Sequence, residues 1–354
     1  MIRVLIVEDS PQDAELLLGL LTADPEIRVI GTARNGKQGI ALARELAPDL
    51  VCMDATMPGL DGYEATREIM KSCPVPVIMV TSTHALTEQP AANRAYQAGA
   101  LAILEKPKLC HCPANEGRTR DLLRTIKAMA AVKVVRRREY ATAVTEKSKP
   151  AGMAAPAISR RESGLVAIGA STGGPPVIQK ILSRLPQPFP VPILIVQHIT
   201  DGFTQGFVSW LAATSGFEVE TPIHGQKALP GHVYIAPDNC HMGITSEGII
   251  TLSAGDPENG VRPSVSYLFR SVASSYGNRA VGVLLTGMGK DGAAELRAMK
   301  DCGCITLVQD QESSIVHGMP GEAIRLKGAT HILPDRLIAD VLRDTIMRQG
   351  QINE

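Results

Sequence analysis

From Met1 to about Ala131, short apolar runs rich in Val, Ile and Leu alternate with stretches of helical period. Strands that are buried on both faces of a parallel sheet produce this pattern. Five repeats of strand then helix are legible. The predicted strands are Ile2–Val7, Arg28–Ala33, Leu50–Asp54, Val77–Thr81 and Ala102–Glu105, with a last helix from about Arg118 to Ala131. Between Val132 and Ser163 the alternation fails. Arg136-Arg137-Arg138 leads into Ala, Lys, Pro and Ser residues with almost nothing large and apolar to bury, which is the composition of a linker. Its basic run reads as a solvated tether. From Gly164 to about position 348 the alternation resumes, with Leu165–Ile168, Val191–Gln197, Val281–Leu285 and Ile305–Val308 as buried strands of a second α/β domain. No short internal period appears, which argues against a solenoid or propeller.

Composition narrows what such a chain can do. At 354 residues and 44% apolar content it can form two cores and is too long for one ordinary domain. Lys and Arg total 36 and Asp and Glu also 36, so no global field draws the molecule toward nucleic acid or an anionic membrane. No apolar run approaches the roughly 20 residues of a membrane helix, and Met1-Ile2-Arg3-Val4 lacks the design of a signal peptide. A cytoplasmic protein with no direct membrane insertion is expected. The seven cysteines sit mostly in apolar stretches (Cys52, Cys302, Cys304), which suits buried thiols better than disulfides.

In a doubly wound sheet the loops at the carboxyl ends of neighbouring strands converge, so Glu8 and Asp9 after the first strand should meet Asp54 after the third. Three carboxylates in one pocket are costly without a cation, and an all-oxygen set with room for water suits Mg²⁺. Asp54 is followed by Met57-Pro58-Gly59-Leu60-Asp61-Gly62, Thr81 ends the fourth strand, and Lys106-Pro107 follows the fifth. This set resembles a response-regulator receiver domain over Met1 to about Ala131. The resemblance implies that Asp54 accepts a phosphoryl group from a CheA-type histidine kinase. It also implies that Glu8, Asp9, Asp54 and the backbone carbonyl of Thr56 hold Mg²⁺, and that Thr81 and Lys106 form the switch. The chemistry agrees, because a cation, an ammonium and a mobile hydroxyl can compensate a phosphoryl oxygen. Pro90 falls within His84 to Ala92, where the fourth helix should begin, and Ile103 stands where many receivers carry an aromatic switch residue. Lys108 to Glu116 reads as an insertion before the last helix. Its Cys110-His111-Cys112 reads as free thiols, because no fourth metal ligand is evident.

The strand at Leu165 runs into Gly169-Ala170-Ser171-Thr172-Gly173-Gly174-Pro175-Pro176, with the prolines suited to a helix's first turn. Taken alone, this loop is a phosphate cradle, a G-x-S-x-G nucleophile elbow, or a serine nucleophile on another fold. The second strand ends at Gln197-His198 rather than in the acidic residue that a ribose would need, which disfavours a dinucleotide site. His198 there would face Ser171 as a general base. Thr286-Gly287-Met288-Gly289-Lys290-Asp291-Gly292 follows a third strand and brings a carboxylate to the same crevice. The order Ser171, His198, Asp291 differs from the Ser, Asp, His order of α/β-hydrolases.

With Tyr234-Ile235-Ala236-Pro237, Arg262-Pro263-Ser264-Val265 and Leu268-Phe269 added, the chain from Gly164 to Met347 is similar to the CheB methylesterase domain. The resemblance implies Ser171 as nucleophile, His198 as base, Asp291 as the carboxylate that fixes the imidazole, and backbone N–H groups near Thr172 and Met288 as oxyanion donors. Ser266 departs from the family, which usually has an acid there. The remaining histidines, His224, His232, His241, His317 and His331, lie beside glycine, threonine or turn signals and are weaker candidates.

The expected architecture is therefore α/β throughout. A five-stranded flavodoxin-like receiver spans 1–131, a linker 132–163, and a doubly wound, Rossmann-like parallel-sheet methylesterase domain 164–348. By resemblance the substrate is the glutamate γ-methyl ester of methyl-accepting chemoreceptors, and some members also deamidate receptor glutamines. The esterase needs no cofactor, Mg²⁺ belongs to the receiver, and the unphosphorylated receiver covers the crevice. A non-catalytic interaction module, with Ser171 as a helix cap, is the rival reading, and a nucleotide-binding oxidoreductase is a second.

Overall fold

In both halves of the chain the Val, Ile and Leu runs form parallel strands, and the central ones are buried throughout. The computed structural model describes residues 1–81, 94–95, 98–107, 113–130, 164–199 and 202–347. The expected linker at 132–163, the segment around Pro90 and Cys110-His111-Cys112 lie outside the described residues.

The N-terminal sheet comprises β1 (Ile2–Val7), β2 (Ile27–Ala33), β3 (Leu50–Met53), β4 (Val77–Thr81) and β5 (Ala102–Glu105) in the order β2-β1-β3-β4-β5. Every neighbouring pair is parallel. The helices α1 (Pro11–Thr22), α2 (Gly36–Leu46), α3 (Gly62–Ser72) and α4 (Pro113–Met129) accompany it. Sequence sets their starts: Ser10, Asn35 and Asp61 each accept a backbone N–H from the first turn of α1, α2 and α3. Alternate residues of β1 enter opposite cores, Val4 and Ile6 one and Leu5 and Val7 the other. The last helix starts at Pro113, inside the segment read as an insertion, because proline lacks only an N–H that a first turn leaves unbonded anyway.

The C-terminal sheet has seven strands in the order β14-β13-β12-β6-β7-β9-β8. They are β6 (Leu165–Ala170), β7 (Ile193–Gln197), β8 (Glu218–Glu220), β9 (His232–Ile235), β12 (Ala280–Leu284), β13 (Ile305–Gln309) and β14 (His331–Leu333). A separate antiparallel pair joins β10 (His241–Ile244) to β11 (Ile250–Ser253). The helices are α5 (Gly174–Leu182), α6 (Thr204–Ser215), α7 (Val265–Tyr276), α8 (Ala293–Asp301), α9 (Met319–Arg325) and α10 (Asp335–Met347). Val166 and Ile168 of β6 face the core that holds Phe189 and Phe207, while Leu165 and Ala167 face the core that holds Tyr234 and Phe269. Burying each of these aromatics is worth on the order of 2–3 kcal/mol. Of the cysteines read as buried, Cys52 and Cys304 are, whereas Cys302 is exposed just after α8.

In this sheet β6 is central, flanked by β7 and β12, and the chain passes from β6 through α5 to β7. The carboxyl ends of β6, β7 and β12 therefore open at a topological switch point, where an open α/β sheet forms its crevice.

Candidate active site and acidic pocket

At the carboxyl ends of β1 and β3, Glu8, Asp9 and Asp54 present carboxylate oxygens that lie within 4.8 Å of one another. Glu8 and Asp54 are buried. Lys106 Nζ enters from beyond β5, 2.8 Å from Glu8, 3.1 Å from Asp54 and 3.2 Å from Asp13. Burial pushes the Glu8 carboxyl up to about 7 against the pull of Lys106, with the Asp54 charge adding to the rise. Burial likewise raises Asp54, opposed by Lys106 and by the Thr56 backbone N–H. Burial alone would lower Lys106, but the Asp54 and Glu8 carboxylates outweigh it and hold the ammonium charged. Asp54 Oδ1 and the Thr81 hydroxyl are buried without a hydrogen-bond partner among the described residues. Clustered carboxylates with an unpartnered buried oxygen are the donor set a hard divalent cation takes. Gly62 keeps the β3–α3 loop tight, since a Cβ there would stand 1.9 Å from the Asp54 carbonyl oxygen.

The second site opens on the crevice between the ends of β6, β7 and β12. Ser171, Thr172, His198, Met288 and Asp291 all line one cavity of about 530 Å³. Gln197 ties the first two loops together, with Nε2 donating to the carbonyls of Ser171 (2.8 Å) and His198 (2.9 Å). Gly173 supplies the left-handed turn after Ser171 at φ 81°, which a side chain rarely adopts. Gly287 lets the third loop approach, since a Cβ there would fall 2.8 Å from Ser171 Cβ and 2.3 Å from Met319 Sδ.

Asp291 is 3% exposed. Its Oδ2 lies 2.9 Å from His198 Nε2 and accepts the Val265 N–H at 2.6 Å. Its Oδ1 accepts from the Ser264 hydroxyl (2.7 Å), the Ser266 N–H (3.2 Å) and the Asn259 amide (3.0 Å). The carboxylate thus sits on the amino end of α7, where backbone N–H groups and the helix dipole favour an anion. Burial would raise its pKa, but the bonds and charge of His198 and the bonds from Ser264 and Ser266 outweigh burial and hold it well below the usual carboxylate range. With Nε2 committed to Asp291, the free Nδ1 of a neutral His198 ring is the acceptor available to a hydroxyl. No hydrogen bond joins Ser171 to His198 here, so of the expected chain from hydroxyl to imidazole to carboxylate the second link is formed. The N–H groups of Thr172 and Met288 likewise donate to no group among the described residues.

Ser266, the departure from the family pattern, accepts from Asn259 (3.1 Å) and from the Gly292 N–H (2.9 Å) and donates to Glu295 (2.6 Å). The expected acid is thereby replaced by a hydroxyl backed by a carboxylate from α8. Of the other histidines, His241 is buried, with Nδ1 accepting the Ser264 N–H and Nε2 beside the Asp256 carbonyl. It braces the start of α7 away from the cavity wall.

Sequence reasoning missed Asn259, the role of Ser264 and which residues of the first domain reach the cavity. Leu101 to Leu104, Arg124 and Thr125 complete the wall of the same cavity. Phe203, just before α6, is buried among Ala95, Ala98, Ala100 and Ile103. Arg262-Pro263-Ser264-Val265 was visible as a motif, and Ser264 before a helical period is a capping signal. Nothing local marks Arg124 or Phe203.

Fold and sites together define a receiver-type α/β domain followed by an α/β domain that carries a serine beside a half-buried histidine paired with a buried aspartate. Residues 166–342 match the family model described as CheB methylesterase, and residues 4–110 match the response regulator receiver domain. A protein-glutamate methylesterase/protein-glutamine glutaminase of Syntrophus aciditrophicus is 51% identical over 97% of each chain, and one of Nitrosospira multiformis is 47% identical over 99% of each. The crystal structure of the Thermotoga maritima CheB methylesterase catalytic domain superposes with a TM-score of 0.50 at 36% identity, covering 52% of this chain and 99% of that one. The chain belongs to the CheB methylesterase family, with a receiver domain at its amino end, and is a carboxylic ester hydrolase. Among the described residues no helix is long and apolar enough to cross a membrane.

Proposed function

We propose that the chain is a phosphorylation-regulated protein-glutamate methylesterase. It hydrolyses glutamate γ-methyl esters on methyl-accepting chemoreceptors and releases methanol. The observation that carries this reading is the His198–Asp291 pair at 2.9 Å in the same cavity as Ser171, each residue following one of three adjacent strands. Ser171 Oγ attacks the ester carbonyl as His198 Nδ1 takes its proton, and Asp291 stabilises the imidazolium that forms. The Thr172 and Met288 N–H groups receive the oxyanion, each such donor being worth about 3 kcal/mol of barrier. Collapse expels methoxide, which takes the proton back from His198 and leaves as methanol. Water then attacks the glutamyl ester of Ser171 by the same route and frees glutamate. Catalytic hydrogen bonds often tighten only when substrate is bound, which accounts for the open Ser171–His198 gap. The same acyl chemistry releases ammonia from glutamine, a second reading supported by the double name of the relatives.

In the receiver, Asp54 is the proposed phosphoacceptor, served by a CheA-type histidine kinase, with Thr81 and Lys106 responding to the new charge. Glu8, Asp9, Asp54 and the Thr56 carbonyl would hold Mg²⁺, which supplies neutralisation of phosphoryl oxygens when bound. The proposed esterase chemistry uses side chains, backbone N–H groups and water. Because the first domain walls the catalytic cavity, the unphosphorylated arrangement restricts entry, and a phosphoryl group on Asp54 loosens it.

The test is methanol release from methylated receptor by wild type and Ser171→Ala, with and without a small-molecule phosphodonor. Release that needs Ser171 and rises with phosphodonor is expected. Release at the uncatalysed rate by wild type and variant alike would leave the second domain an interaction module, and equal release above that rate would remove Ser171 as nucleophile.

A further inference from the structure

The Asp291 carboxylate accepts five hydrogen bonds, and one of them comes from outside the framework that holds the rest. Val265, Ser266 and Ser264 belong to the start of α7, and His198 is the partner the chemistry requires. The fifth donor, Asn259, sits at the tip of a two-residue hairpin closed by Glu258 N–H to Val261 O (3.1 Å) and Val261 N–H to Glu258 O (3.0 Å). Asn259 and Gly260 have φ of 52° and 79°, the left-handed pair of a type I′ turn, in which Asn-Gly is favoured. This tip is exposed as a residue and yet lines the catalytic cavity. Oδ1 of Asp291 already has Ser264 and Ser266, so the Asn259 amide is not needed to satisfy a buried acceptor.

We propose that Asn259 is a positioning residue of the hydrolytic site: its amide fastens the cavity-rim hairpin to Asp291 and shares the carboxylate charge that would otherwise fall on His198. This rests on the methylesterase reading of Ser171, His198 and Asp291. Each donor to Oδ1 withdraws negative charge from the oxygen facing the imidazole. Removing one makes Asp291 hold the protonated ring more tightly, whereas attack by Ser171 begins from the neutral ring. The bond to Ser266 at 3.1 Å fixes the amide, and Glu295 behind Ser266 fixes Ser266 in turn. The other charged side chains in the cavity wall, Lys290 and Arg124, are unchanged by a substitution at this tip.

Two variants of the full chain separate positioning from turn structure. Asn259→Gly keeps the left-handed turn and deletes the amide, and Asn259→Asp keeps the shape and sets a second carboxylate against Asp291. With methylated receptor as substrate, Asn259→Gly is expected to lower kcat about threefold to tenfold, the worth of one hydrogen bond, with KM little changed. Its acid limb of kcat/KM should move up by about half a pH unit, and that of Asn259→Asp by a larger amount in the same direction. An unmoved acid limb in both variants would overturn the inference, as would equal kcat losses without a pH shift. Ser171→Ala run alongside distinguishes the cases: if it matches wild type the methylesterase reading itself falls, and if it is inactive the profiles judge Asn259 alone.

Discussion

Asp291 offers one carboxylate oxygen to His198 at 2.9 Å and gives the other to Ser264, Ser266 and Asn259. The division fixes the ring: a donor at Nε2 leaves Nδ1 free to serve as the proposed base. Asp291→Asn reverses that preference, because an amide NH₂ turned to His198 favours the tautomer with its proton on Nδ1. The expected loss is on the order of 10³–10⁴-fold in kcat with KM little moved. Steady-state methanol release measures both, and a kcat within tenfold of wild type would refute the assignment.

The same carboxylate links stability to acid. Its pKa in the fold lies below the ordinary value of 3.8, so its contribution is complete above that value and is lost as pH falls toward the folded pKa. The gap in Tm between wild type and Asp291→Asn should therefore be widest near neutrality and shrink below about pH 4. Calorimetry across that range checks the sign, and a gap that grew in acid would contradict it.

Gly287→Ala places a methyl 2.3 Å from Met319 Sδ and 2.8 Å from Ser171 Cβ. Overpacking of this kind costs about 1–3 kcal/mol. Because one of the two neighbours is the proposed nucleophile, activity in the folded variant should fall further than the loss of stability explains. Chemical denaturation alongside kcat separates the two.

Asp54 is buried with a raised pKa, so its charge works against the fold. Asp54→Asn should raise the Tm of the chain without Mg²⁺ and abolish the response of esterase activity to phosphodonor. A variant that still responded would move the phosphoacceptor elsewhere.

Phe203 inserts from the second domain among Ala95, Ala98, Ala100 and Ile103 of the first. Phe203→Ala removes most of that contact. A loosened junction should raise unphosphorylated activity about 5- to 150-fold, the span of ordinary coupling energies, and shrink further stimulation by phosphodonor. Unchanged basal activity would argue against occlusion.

The sequence was most readable where the physics is local or periodic. Strands buried on both faces read as continuous apolar runs, and Glu8, Asp54, Ser171 and His198 could be placed because each directly follows such a run. Asp291 followed from the loop after β12. The short strands Glu218–Glu220 and His241–Ile244 carry mixed polar residues at a sheet edge and in a separate hairpin, so no apolar period marked them. Asn259 reaches Asp291 only through the hairpin's fold, 32 positions away in sequence. Arg124 and Phe203 gain their meaning from the packing of one domain on another, which no window along a single segment contains. Ile103, noted as an aliphatic residue at an aromatic position, now has an aromatic neighbour from the other domain.

A cavity walled partly by Leu101 to Leu104, Arg124 and Thr125 makes the first domain a tethered rival of the substrate. On the proposed reading such a rival is defeated by concentration: receptor at high enough density would open the enzyme with no phosphoryl group at all, so that clustering of substrate helices and the kinase signal would be two inputs to one equilibrium.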